Sequence, residues 1–121
     1  MRQSRSRFRS LAPAGLAAAA LAVAWSVTSL AQVPAGVTAY ETQKCATCHA
    51  IAGKGGKLAT ALDGIGTKMK EADIRKWLTT PAEMEAKLAK KPTMPMSTFL
   101  KTHKLTDADV GALMAYMLSL K

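Results

Sequence analysis

The sequence predicts an all-α fold of four to five short helices over residues 32–121, and three observations carry that reading. Val110, Leu113, Met114, Met117 and Leu118 recur at i, i+3, i+4, i+7 and i+8, which draws one apolar stripe along a helix. Ile74, Trp77 and Leu78 repeat the spacing over a shorter span. No stretch alternates apolar and polar residues as a half-buried strand would.

Taken in order, residues 1–31 stand apart. Arg2, Arg5, Arg7 and Arg9 make a basic head, Leu11 to Val27 carries no charge, and Ser29-Leu30-Ala31 places small residues at both positions a signal peptidase inspects. That pattern reads as a secretory signal peptide. The apolar run falls short of ~20 residues and is broken by Pro13 and Gly15, so cleavage is expected rather than a retained membrane anchor. Gln32 to Gly36 reads as an irregular start, and Val37 to Cys45 as a short helix with Val37, Tyr40 and Lys44 at helical spacing. Ala52 to Gly66, rich in Gly and Lys, reads as a loop. Glu71 to Leu78 is a helix with two acids in its first turn, limited by Pro81. Ala82 to Lys90 is a further short helix carrying Met84 and Leu88. Lys91 to Met96 must be extended, because each residue before a proline is pushed out of helical geometry. Thr106 is a good N-cap for the last helix, Asp107 and Asp109 suit its positive end, and Lys121 complements the other.

With 121 residues there is room for one small domain. Setting aside residues 1–31 leaves 90 residues and removes four arginines but no acid. The 17 basic residues become 13 against 8 acidic ones, so the net charge falls from +9 to +5. A chain of that size often needs a disulfide, a metal or a cofactor to complete its core. Its aromatics are few: Tyr40, Trp77, Phe99 and Tyr116. Export argues against nucleic acid as a partner despite the positive charge.

The two cysteines say what completes it. Cys45-Ala46-Thr47-Cys48-His49 is a C-x-x-C-H motif, the attachment signature of c-type haem. Two thiols three positions apart on a helical turn can each add to a haem vinyl group, and the next residue then sits beneath the ring as the proximal iron ligand. Three other uses of such a pair compete. A thiol redox site wants a βαβ context, and no strand run precedes Cys45. A zinc site needs four ligands, and the second histidine, His103, stands far along the chain. A disulfide between residues three apart would constrain little.

A six-coordinate electron carrier also needs a ligand opposite His49. Met114 and Met117 sit on the apolar stripe and read as core; Met69 and Met84, beside or on helices, read as core that could still line the haem cavity. Met94 and Met96 lie in a proline-stiffened loop, where a preorganised thioether loses less entropy on binding iron. Met94 is favoured and Met96 is its alternative. His103 is a further candidate, which would make the ligation bis-histidine and lower the potential, but between Lys101 and Lys104 it is expected at the surface.

These residues resemble a bacterial class I cytochrome c of the small single-haem periplasmic kind. The resemblance runs in order over residues 32–121: Tyr40 ahead of Cys45-Ala46-Thr47-Cys48-His49, then Leu62-Asp63-Gly64-Ile65-Gly66, Ile74-Arg75-Lys76-Trp77-Leu78, Lys91-Pro92-Thr93-Met94, Leu105-Thr106-Asp107 and Ala115-Tyr116. It implies one covalently bound haem c with its iron, thioethers on Cys45 and Cys48, the proximal ligand on His49 and the distal ligand on Met94. It also implies that the terminal helices cross near Tyr40 and Tyr116 and that Trp77 packs close to the haem. Two departures stand out. Thr60 occupies the place of a proline whose carbonyl usually accepts the proximal histidine's N–H. Tyr40 precedes Cys45 by five residues where four is common, so the crossing is expected to shift.

The function this implies is a periplasmic carrier moving one electron between redox partners by Fe(II)/Fe(III) cycling, and not an enzyme. Ten lysines between residues 54 and 104 would steer it onto acidic patches of those partners. Membrane contact is expected only through an uncleaved signal segment. The alternatives are a fixed haem subunit of a dehydrogenase or reductase complex, and a ligand-binding haem sensor with an open distal site.

Overall fold

A computed structural model describes residues 32–121; the secretory signal peptide expected over residues 1–31 lies outside the described residues. Helix α1 covers residues 32–42. A 3-10 turn at Cys45–Thr47 follows, then a two-stranded ribbon in which β1 (Ala50–Ile51) pairs antiparallel with β2 (Lys54–Gly55). The remaining helices are α2 (Ile65–Lys68), α3 (Glu71–Thr79), α4 (Pro81–Ala86), α5 (Met96–Thr102) and α6 (Asp107–Ser119). Among the described residues, no helix is long and apolar enough to cross a membrane.

Helix α6 forms where its sequence says it should. The Thr106 hydroxyl accepts the Asp109 backbone N–H at 3.1 Å, and the Asp109 carboxylate accepts the Thr106 backbone N–H at 3.0 Å. This reciprocal capping box satisfies two of the donors every helix start leaves free. The hydrogen bond from the Thr106 backbone, with a second from its hydroxyl, holds the Asp109 carboxyl below the usual carboxylate range. The apolar stripe then turns inward. Val110, Leu113, Met114 and Met117 are buried with Ala39, Tyr40 and Ile74 in one core, and Leu113 at its centre is only 1% exposed. Emptying such a site, Leu to Ala, costs about 2–5 kcal/mol.

Helices α2 and α3 pack on α6, and α1 crosses it with unusual closeness. A Cβ added at Gly36 would overlap the Ala112 carbonyl oxygen and stand 2.5 Å from Tyr116 Cβ. One turn on, Tyr40 and Tyr116 meet edge to face, ring centroids 6.0 Å apart and planes at 78°. The expected crossing at these two tyrosines is therefore present. The additional residue before Cys45 is absorbed where the chain leaves α1, with Lys44 in left-handed backbone at φ 58°.

The structure corrects several boundaries. Gln32 to Gly36 is helical rather than irregular, Pro34 included. Helix α4 opens on Pro81 and ends at Ala86, short of Lys90. Helices α2 and α5 were not expected, and α5 begins at Met96, the last residue of the stretch read as extended.

Candidate functional site

The motif is held by a tight turn. His49 N–H donates to the Cys45 carbonyl at 3.0 Å and Cys48 N–H to the same oxygen at 3.2 Å, so the chain coils once through residues 45–49. From behind, Gly56 N–H donates to the Ala46 carbonyl at 2.8 Å. At Gly55, with φ 119°, any Cβ would strike the His49 carbonyl, so β2 lies flush against the turn only because it carries no side chain there. The Tyr40 hydroxyl donates to that same carbonyl at 2.8 Å, pinning the motif to α1. Burial, with the neighbouring Cys45 thiol next in importance, pushes the Tyr40 hydroxyl up to about 12.

His49 Nδ1 lies 2.7 Å from the Thr60 carbonyl oxygen. A carbonyl can only accept, so Nδ1 carries the proton and Nε2 keeps its lone pair for a ligand. The backbone carbonyl at Thr60 thus does what the missing proline's carbonyl would do. An oriented imidazole of one fixed tautomer is what a metal-binding histidine requires.

Cys45, Cys48 and His49 line one wall of a cleft. Opposite them, Met94, Pro95, Met96, Phe99, Leu100 and His103 complete it, with Leu78 and Leu105 also contributing. Every expected site residue faces this one cavity. Met94 is 64% exposed, while Met96 is half-buried as the first residue of α5. One expectation changes. His103 is half-buried in the lining, stacked on Phe99 with ring centroids 4.2 Å apart and planes 11° apart, and so is not a free surface residue. Leu78 rather than Trp77 lines the cleft; Trp77 is half-buried outside the lining. Phe99 on α5 and His103, its C-cap, stand four residues apart, one turn of a helix that sequence reasoning did not draw, so their shared face was missed.

Both thiols are free, and burial pushes the Cys45 thiol up to about 11. A redox-active C-x-x-C needs the reverse, a thiol lowered towards neutrality. Among the described residues, no three His, Cys, Asp or Glu side chains gather as a metal cage, which removes the zinc reading. A c-type haem does suit this donor set: two free thiols for its vinyl groups, one oriented imidazole nitrogen, an apolar wall and thioether sulfurs facing it. The cleft encloses about 260 Å³, just under the ~300–1,000 Å³ usual for small-molecule sites. Residues 33–121 match the family model described as Cytochrome c. No curated protein and no solved structure matches the chain.

Proposed function

The chain belongs to the cytochrome c family, whose members carry electrons on covalently bound haem c, and from that premise we propose that it is a periplasmic single-haem carrier between redox proteins. Cys45 and Cys48 would hold the haem through thioethers, and His49 and Met94 would ligate its iron. The bound haem supplies one-electron exchange between Fe(III) and Fe(II). The chain's residues keep the two axial ligands in place during that exchange. His49 is oriented by the Thr60 carbonyl and Met94 is carried by a separate loop stiffened by Pro92 and Pro95, so neither has to move when the charge changes. Met94 is assigned over Met96 because it stands free on that loop, whereas Met96 is built into α5.

The observation that carries the reading is the single cleft with an oriented His49 nitrogen beside two free thiols and a methionine loop across from them. With His49 and Met94 both ligating the iron, no substrate would reach it, and the protein would be a carrier rather than an enzyme. The ten lysines between residues 54 and 104 are all exposed, which supports docking onto acidic patches. The basic head and apolar run of residues 1–31 support export.

Two spectra test it. After denaturation, the visible absorption of haem stays with the polypeptide; a colourless chain overturns the proposal. The reduced protein at neutral pH leaves added carbon monoxide unbound, whereas ready binding would place it with the open-site sensors.

A further inference from the structure

Among the described residues, Glu85 is the only buried charged or polar side chain, 8% exposed at the end of α4. Both its carboxylate oxygens are committed to one residue. Oε1 accepts the Ser97 backbone N–H at 2.9 Å and Oε2 accepts the Ser97 hydroxyl at 2.6 Å. Ser97 is the second residue of α5, and the N-cap of that helix is Pro95, which offers no side-chain acceptor. Glu85 therefore supplies from another helix the cap that α5 lacks. Its backbone takes part as well, because Lys91 Nζ donates to the Glu85 carbonyl at 3.0 Å and to the Ala86 carbonyl at 3.2 Å. The segment from Lys91 to Ser97 is thus a loop whose two ends are tied to the same residue. Within it, Pro92 and Pro95 fix two further backbone torsions. Met94 rides at its tip, exposed and facing the cleft.

We propose that Glu85 is the positioning residue of the methionine loop: by gripping Ser97 with its side chain and Lys91 with its carbonyl, it holds the Met94 thioether where the iron needs it. This rests on Met94 being the distal ligand. Glu85 does not line the cleft, and its side chain acts through Ser97. A buried carboxylate with both oxygens satisfied is costly to disturb, and hydrogen bonds to charged groups are stronger than neutral ones. A loop released from that grip would let the thioether leave the iron while the core around Leu113 stays packed.

The test uses the oxidised holoprotein and reads the loop separately from the fold. The Met-to-iron charge-transfer band and the affinity for added imidazole report the distal bond; far-UV circular dichroism reports the helices. In Glu85→Ala, the band is lost well below the temperature at which the helices melt, and imidazole binds about ten- to a hundredfold more tightly. Glu85→Gln keeps an acceptor for the Ser97 N–H and restores both readouts towards the parent. Ser97→Ala removes only the hydroxyl arm and falls between, which keeps the test readable if Glu85→Ala does not fold. Unchanged band and imidazole affinity in Glu85→Ala, or in Ser97→Ala where only that variant folds, overturn the proposal. Met94→Ala abolishes the band at every temperature; if it does not, the ligand assignment itself has failed, which the glutamate variants alone would not reveal.

Discussion

Gly36 and Gly111 lie inside helices, and the same substitution should have opposite effects at the two. In a helix interior alanine is better than glycine by about 0.5–1 kcal/mol, because the unfolded chain has less freedom to lose. At Gly111 nothing lies within 4 Å of an added Cβ, so Gly111→Ala keeps that gain. At Gly36 the methyl would overlap the Ala112 carbonyl oxygen, with Tyr116 Cβ at 2.5 Å and the Ala112 carbonyl carbon at 3.0 Å. Two of those three atoms are backbone, so a rotamer change cannot relieve the clash and α1 must move off α6. Overpacking of this kind costs about 1–3 kcal/mol. Separating the helices also weakens the Tyr40–Tyr116 edge contact, worth about 0.5–1.5 kcal/mol. After the propensity gain is set against these, Gly36→Ala is destabilised by about 1–3 kcal/mol. For a domain of this size that lowers the melting temperature by about 5–20 °C, while Gly111→Ala raises it by about 2–8 °C. Thermal unfolding of the two holoproteins, followed by circular dichroism, measures both. If Gly36→Ala melts with or above the parent, or if both variants shift together, the close crossing does not govern stability and the reasoning fails.

Further outcomes follow from other contacts. Because the Tyr40 hydroxyl is pushed from 10.0 to about 12 in the fold, its contribution to stability is complete below pH 10 and is lost as pH rises towards 12; Tyr40→Phe flattens that alkaline slope and costs about 0.5–1.5 kcal/mol at neutral pH through its lost bond to the His49 carbonyl. The depressed Asp109 carboxyl works the other way: its contribution is present above 3.8 and disappears as pH falls through its lowered value. Thr106→Ala removes the other half of the capping box, lowers stability by about 1 kcal/mol in denaturant unfolding and weakens that acid sensitivity. Replacing Cys45 and Cys48 together by alanine leaves haem extractable into acidified organic solvent, whereas the parent retains it; retention by the double variant would remove both thioether assignments.

What could be read in the sequence follows from what is local. The motif at Cys45–His49 and the capped stripe of α6 depend on neighbours a few residues away, and both stand where their patterns place them. Helix α5 was not legible because Ser97, Thr98, Phe99 and Thr102 are indifferent helix formers, and its cap comes from Glu85, twelve residues earlier on another helix. Residues 32–36 look irregular by composition, yet they are helical, and Gly36 is there for the helix crossing rather than for flexibility. The surface reading of His103 failed for a similar reason: its lysine neighbours point to water, while its own ring stacks on Phe99 one turn back. Thr60 shows the reverse, since a main-chain oxygen can replace another residue's whatever the side chain.

The order of these pieces along the chain matters for how the protein matures. Its cysteines stand at positions 45 and 48, but the helix that everything leans on, α6, and the covering residues from Met94 to Leu105 are synthesised later. A polypeptide emerging from its amino end therefore presents open thiols well before it can shut the chamber above them. The sulfur-bearing wall of the cleft thus exists before its cover does.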